Sequence, residues 1–373
     1  MAKSSNSNLK SANKAKKDEF YTQLADIEKE LKHYKEHFLN KVVYCNCDDP
    51  RVSNFFHYFS YNFEKLGLKK LITTCYKNQE VNLFSQNNSE KAIYLEYRDD
   101  KNANNVPDIE EIGIKHLKKD GDFRSEESIE LLKQADIIVT NPPFSLFREY
   151  VAQLTKHKKK FIIIGNLNAL TYKEIYKLIK ENKIWLGASI HSGDREFGVP
   201  KDYPLTAASS RIDEKGNKYI RVKGVRWYTN LDYKERHEDL ILYKKYYGNE
   251  EEYPKYINYD AINIDVTKDI PMDYKGAMGV PITFMDKYNP DQFEIIALGI
   301  VGSIDFKSNR KMEILDKNGK PTGKFTFNAK GTLYRLYNPK IDKKSPAFKD
   351  AETGELYSSI YARIIIKNKK VIK

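Results

Sequence analysis

The chain has 373 residues, 40% hydrophobic and 13% aromatic, enough to bury a large core and to form two regions instead of one. Its three cysteines, Cys45, Cys47 and Cys75, are too few for a disulfide scaffold, and no apolar run of membrane-spanning length or signal-peptide pattern is present, so a soluble, cytoplasmic protein without membrane association is expected. The net charge of +12 is concentrated: residues 1–17 carry five lysines and no acid, and residues 307–344 carry eleven Lys and Arg against Glu313, Asp316 and Asp342. Two basic segments on an otherwise near-neutral chain suit phosphate contact better than general solubility.

In chain order, residues 1–17, rich in Ser, Asn and Lys, read as a disordered basic arm. The spacing of Leu24, Ile27, Leu31, Tyr34 and Phe38 predicts an amphipathic helix over Asp18–Phe38. Apolar runs at Lys41–Cys47, Lys70–Tyr76, Ala135–Thr140, Phe161–Gly165 and Lys183–Ala188 predict strands, and helical patterns at Ser53–Leu66, Glu126–Lys133, Leu146–Lys156 and Tyr172–Asn182 lie between several of them. Alternation of this kind predicts an α/β fold with a doubly wound, mostly parallel sheet, whose ligands bind beyond the carboxyl ends of the strands. Cys45 and Cys47 fit alternation on the first strand better than a metal pair, and no metal site is expected.

Three loops at strand ends carry chemistry. Asp48-Asp49-Pro50 follows the first strand, with Ser53 or Asn54 as a cap for the next helix; it holds no glycine, so it is not a phosphate-cradling loop. Gly121-Asp122-Phe123 precedes a helix, where a carboxylate can accept from a nucleoside amine and a ring can pack beside it. Asn141-Pro142-Pro143-Phe144 ends the apolar run Ala135–Thr140. An exocyclic amine conjugated to its ring is a poor nucleophile until acceptors hold its N–H groups. Asn141 offers a side-chain oxygen and Pro142 a carbonyl on a turn stiffened by two fixed φ angles; Phe144 offers a face for the base.

Farther on, strands at Tyr219–Val222 and Gly224–Thr229 follow a turn at Asp213–Asn217, and a second hairpin is expected at Asp316–Lys320, where Asn318-Gly319 suits a type I′ turn. Arg195, Arg211, Arg310, Lys311 and Arg335 are the candidate DNA-contacting residues.

The blocks Asp18–Gln23, Val42–Ser53, Gly121–Arg124 and Thr140–Phe147 together resemble the EcoRI-type adenine-specific DNA methyltransferases, and Lys183–Gly187, Tyr253–Tyr256, Asp260–Asn263 and Gly279–Phe284 extend the likeness to about residue 300, with a return at Tyr361–Lys367. The segment Ser303–Tyr357 departs from the pattern and looks like an extended insertion, so the recognition sequence GAATTC is not to be assumed.

The resemblance implies a Rossmann-like S-adenosylmethionine-dependent methyltransferase domain over residues 18–232, with recognition loops in 190–222, and an appended, partly β, DNA-recognition region over 233–373. It assigns the cofactor site to Phe20, Tyr21, Asp48, Asp49, Asp122 and Phe123, and catalysis to Asn141, Pro142, Pro143 and Phe144. It implies methylation of adenine N6 in duplex DNA with the base rotated out of the stack, by a monomer that can accompany a cognate restriction endonuclease. Methylation of RNA amino groups or protein glutamines uses the same turn chemistry, and a DNA-binding module with a vestigial methyltransferase fold is the non-enzymatic alternative. The localised basic charge disfavours a protein substrate, and the intact tetrad disfavours the vestigial module.

Overall fold

The computed structural model describes residues 20–47, 53–74, 92–98, 112–118, 121–199, 203, 205 and 210–372. The basic arm, Asp48 and Asp49 lie outside them. The chain divides into two compact units, one comprising the residues up to Ile175 with Lys183–Lys234, the other Tyr176–Asn182 with Glu235 onward.

The first unit opens with β1 (Tyr21–Thr22), then the helix Leu24–Leu31 and a 3-10 helix Lys32–Phe38. The helix expected over Asp18–Phe38 gives way to a strand at Tyr21–Thr22, because these two residues pair with Gly198 and Phe197, contacts that outweigh helix propensity. An eight-stranded sheet follows, built from β2 (Val42–Asn46), β3 (Lys70–Thr74), β4 (Ile93–Tyr97), β5 (Gly113–His116), β6 (Ile137–Thr140), β7 (Lys160–Asn166), β8 (Trp185–Leu186) and, later in the chain, β12 (Val225–Thr229). Its order is β5-β4-β3-β2-β6-β7-β12-β8.

The four central strands β3, β2, β6 and β7 are parallel. They carry the continuous apolar runs seen in the sequence; every residue of β2 and β6 is buried, as expected where helices cover both faces. The flanks pair antiparallel, β4 with β3 and β5, and β12 with β7 and β8, which limits the expected parallel pairing to the centre. Of the two proposed caps, Ser53 takes the role, its side chain accepting from Phe56 N, while the Asn54 amide donates to the Thr22 carbonyl at 2.7 Å.

A second, antiparallel sheet contains β1, β9 (Asp194–Val199), β10 (Ser210–Ile212) and β11 (Lys218–Lys223), in the order β1-β9-β11-β10. Tyr21 pairs with Gly198 and Thr22 with Phe197, so the N-terminal block is stitched to the 190–222 region by backbone.

The second unit has two further sheets. One is β13 (Ile262–Asn263), β14 (Met278–Pro281), β15 (Phe293–Leu298) and the final strand β21 (Arg363–Asn368); the other is β16 (Lys311–Leu315), β17 (Pro321–Phe327), β18 (Leu333–Leu336), β19 (Phe348–Asp350) and β20 (Leu356–Ile360). The segment read as an insertion thus forms most of a sheet of its own, in the order β17-β16-β19-β20-β18, over a core of Met312, Ala329, Tyr334, Phe348 and Tyr357.

The hairpin turn at Asp316–Lys320 is present but is not type I′. Gly319 takes a positive φ of 78° while Asn318 does not, and Gly319 N donates to Asp316 O at 3.0 Å, the signature of a type I turn followed by a left-handed glycine. Asp213–Asn217 closes β10–β11 in the same way, with Gly216 at φ 79°.

Two acids, the buried Asp350 and the partly buried Asp342, tie the five-stranded sheet together. Asp342 accepts from both terminal nitrogens of Arg335 (2.7 and 3.0 Å), from Asn338 N and from Ser358. Asp350 accepts from Glu352 N, Thr353 N and Arg310. Burial pushes both carboxyls up, but these donors outweigh it and hold both below the ordinary carboxylate range. Carboxyls with depressed folded-state pKa contribute stability that is complete above the unfolded value of about 3.9 and is lost as pH falls through the lower folded value. The second unit is therefore expected to lose stability as pH falls below about 4, more steeply than an Asp342→Asn variant does. Denaturant midpoints with no acid dependence, or with the same dependence in the variant, would contradict this.

Candidate active site

β6 ends at Thr140, and the chain turns through Asn141-Pro142-Pro143 into a 3-10 turn, Phe144–Leu146, and the helix Phe147–Lys156. The Pro143 carbonyl closes that turn by accepting from Leu146 N at 3.0 Å. The Pro142 carbonyl has no such partner among the described residues, so the two prolines differ in what they can offer.

Asn141 is buried, and its Nδ2 donates to the Phe20 carbonyl at 2.6 Å. A carbonyl only accepts, so this contact fixes the amide orientation and turns Oδ1 away from Phe20. Phe20 itself is buried in a cage of rings, edge-on to Phe144 (centroids 5.8 Å, 74°) and against Phe197 and Tyr203. Phe144 is only partly buried. The structure thus joins three of the predicted residues, Phe20, Asn141 and Phe144, across 121 residues of chain between Phe20 and Asn141. Tyr21 follows in β1, its Cβ packed against Gly198.

The loop at Gly121–Arg124 stands at the start of the helix Glu126–Gln134, which Ser125 caps. Asp122 is forked by Arg124 (2.7 and 2.9 Å), whose guanidinium holds the carboxyl below its usual range and also reaches Glu149. Phe123 is buried, edge-on to Tyr150 at 5.0 Å, rather than presented as an open face. Burial pushes the Tyr150 hydroxyl far up, and it donates to Asn46 Oδ1 at the end of β2. Asn46 and Tyr150, which sequence reasoning did not single out, therefore connect two predicted cofactor loops; one buried tyrosine in an amphipathic helix gives no signal of that. Cys47, just after β2, takes φ 82°, a left-handed conformation that glycine adopts without strain. Among the described residues no cluster of His, Cys, Asp or Glu could hold a metal, and no helix is long and apolar enough to cross a membrane.

Residues 8–369 match the family model described as adenine-specific methyltransferase EcoRI. The chain belongs to the EcoRI family of adenine-specific methyltransferases. It is 57% identical over 288 residues to the type II methyltransferase M.EcoRI of Escherichia coli, covering 77% of this chain and 88% of that one. It is 40% identical over 287 residues to the type II methyltransferase M.MpnI of Mycoplasma pneumoniae, covering 76% and 83%. No solved structure matches the chain.

For this EcoRI-family methyltransferase the candidate DNA-contacting residues fall into different environments. Arg335 is buried (3% side-chain exposure) and paired with Asp342 at 2.7 Å. Arg310 leans on Asp350, Glu355 and the Tyr357 hydroxyl. Arg211 forks onto Glu196 (2.5 and 2.9 Å) and stacks over Tyr219 at 4.2 Å. Arg195 lies 3.7 Å from Asp26. Lys311 is exposed and sits over the Phe325 ring at 4.9 Å.

Proposed function

We propose that this adenine-specific methyltransferase transfers the methyl group of S-adenosylmethionine to N6 of an adenine within a short duplex DNA sequence, acting on a base rotated out of the helix. The observation that carries the reading is the Asn141–Phe20 bond at the carboxyl end of β6. With Nδ2 committed, Asn141 Oδ1 and the Pro142 carbonyl are the acceptors for the two N–H groups of the exocyclic amine. Two such acceptors favour a pyramidal nitrogen, whose lone pair leaves ring conjugation and becomes available for attack. Phe144 stacks on the extruded ring, an interaction worth roughly 1–3 kcal/mol that offsets unstacking of about the same size.

S-adenosylmethionine supplies an electrophilic methyl group bonded to a sulfonium. The sheet supports its binding at the carboxyl ends of the central strands: the order of the parallel strands β3-β2-β6-β7 reverses between β2 and β6, and ligands of doubly wound sheets bind beyond the strand ends at such a switch point. The chemistry of the residues fits a polar nucleoside ligand. Asp122 is an ionised acceptor at the mouth of its loop, and the hydroxyls of Thr22 and Thr140, next to the Phe20–Asn141 contact, are buried without a hydrogen-bond partner among the described residues. Phe20, Tyr21, Asp122 and the backbone at Phe123 are assigned to the cofactor, with Asp48 and Asp49 completing the site after β2. Alignment of amine and methyl supplies the main acceleration.

The family's adenine specificity disfavours a protein-glutamine substrate, and the basic segments support duplex DNA, with residues 233–373 as the recognition region. The type II relatives support a restriction-modification setting with a cognate endonuclease. The test is methylation-sensitive sequencing of DNA from a host expressing the chain: N6-methyladenine at one short motif is expected, and a map without it overturns the reading.

A further inference from the structure

The hairpin β16–β17 combines exposed rings with lysines on one ribbon. Its register places Lys311 opposite Phe327 and Glu313 opposite both Phe325 and Lys349, so these five side chains share one face. Met312 and Phe348 share the other, which is the core face. β17 is an edge strand, and Phe325 and Phe327 on it are 51% and 56% exposed. Two large rings side by side on an open face are costly to leave in water and mark a contact surface.

The charges say what kind of partner fits. Residues 311–327 contain Lys311, Lys317, Lys320 and Lys324 against Glu313 and Asp316. Both acids are engaged by backbone: Asp316 accepts from the N–H groups of Asn318 and Lys320, and Glu313 from Gly323 N. None of the four lysines makes an ion pair among the described residues, whereas Arg310 and Arg335 nearby are both held by acids. The hairpin therefore shows a net positive, aromatic surface, complementary to a polyanion that carries stackable bases.

What the face lacks matters equally. The face has no arginine, glutamine or asparagine, and Asn318 stands in the turn; of the side chains that read guanine and adenine edges the face keeps only lysine, a flexible point charge, and phenylalanine has no hydrogen-bonding group. We propose that the β16–β17 hairpin is a sequence-independent DNA contact, with its lysines on backbone phosphates and Phe325 and Phe327 wedged against base steps beside the target site. It supplies affinity and duplex distortion, while the identity of the site is read elsewhere. This rests on the DNA-methylating function proposed above and assigns one surface within it.

The test compares full-length variants on a duplex bearing the mapped motif and on one with a single base of the motif changed. Replacing Lys311, Lys317, Lys320 and Lys324 with alanine is expected to weaken binding to both duplexes alike and to lower the salt slope by about 2–4, since each phosphate contact contributes about 0.9. Phe325→Ala with Phe327→Ala is expected to weaken binding about tenfold, keep the salt slope and reduce the bend measured by fluorescence transfer. Unchanged affinity and slope would remove the hairpin from the DNA contact, and a loss confined to the correct motif would make it a base reader. A wild-type dimer dissociated by the phenylalanine changes would make the face a self-association surface. All six positions are exposed or half-exposed, so thermal melting should stay at the wild-type value; a drop would move the role to folding. If wild-type protein methylates no DNA, the function fails and not the hairpin.

Discussion

Asn141→Ala is expected to reduce methyl transfer by at least about 10²- to 10³-fold, the size seen when one positioned hydrogen-bonding group is taken from a reacting centre, while S-adenosylmethionine binding changes little. Alanine removes both halves of the arrangement, the donor to the Phe20 carbonyl and the acceptor for the amine. Asn141→Asp separates them. It keeps acceptor oxygens but sets a carboxylate against the Phe20 carbonyl, so the turn loses the bond that orients it. If orientation matters as much as the acceptor, aspartate is nearly as inactive as alanine; if acceptor capacity alone matters, it retains measurable turnover. Near-normal kcat in the alanine variant, measured by tritiated methyl transfer, would end the catalytic assignment.

The second large effect is on stability. Glu30 is fully buried and accepts from the Tyr34 hydroxyl and from the backbone N–H groups of Ala188 and Ser189, each at 2.8 Å. These bonds tie the N-terminal helix to the loop after β8, and Gly187 leaves the room for them: a Cβ there would lie 2.1 Å from Glu30 Oε1. Burial, followed by the Glu30 charge, pushes the Tyr34 hydroxyl well up, so it stays a donor throughout the physiological range. Glu30→Ala leaves one buried and two partly buried donors without their acceptor, at about 1–3 kcal/mol apiece, and a loss of about 3–5 kcal/mol is expected. That is a large share of a typical folding free energy of about 5–15 kcal/mol. Glu30→Gln, which retains one acceptor oxygen, should lie between. Urea unfolding measures the difference, and a loss under about 1 kcal/mol in the alanine variant would mean the loop finds other partners.

The central sheet was legible because its strands are buried on both faces. Continuous apolar runs such as Val42–Asn46 and Ile137–Thr140 have few alternatives to a covered strand, and the helices between them repeat at 3.6 residues. The strand at Tyr21–Thr22 was not legible, since two residues carry no periodicity and their conformation is set by Phe197 and Gly198 far along the chain. The type I′ expectation for Asn318-Gly319 failed for a related reason: Asp316 captures two backbone N–H groups and selects another turn with the same glycine. Arg335 shows the same limit for charge. In sequence it is one more cation in a basic segment; in the fold it is the counterion of Asp342.

By itself the sequence determined the chemistry of the turn. Asn-Pro-Pro-Phe after an apolar strand brings acceptor, rigid carbonyl and ring together through covalent neighbours alone, so no tertiary contact is needed to recognise it. The tertiary structure decided what aims that chemistry and which charges remain available. Phe20 reaches Asn141 because β1 is drawn into a sheet with β9, and the lysines of the β16–β17 hairpin stay outward because its acids are bound to backbone. Those outcomes depend on pairings between distant segments, whose free energies are set by burial and hydrogen-bond satisfaction in the folded chain and leave no periodic trace in the residues that make them.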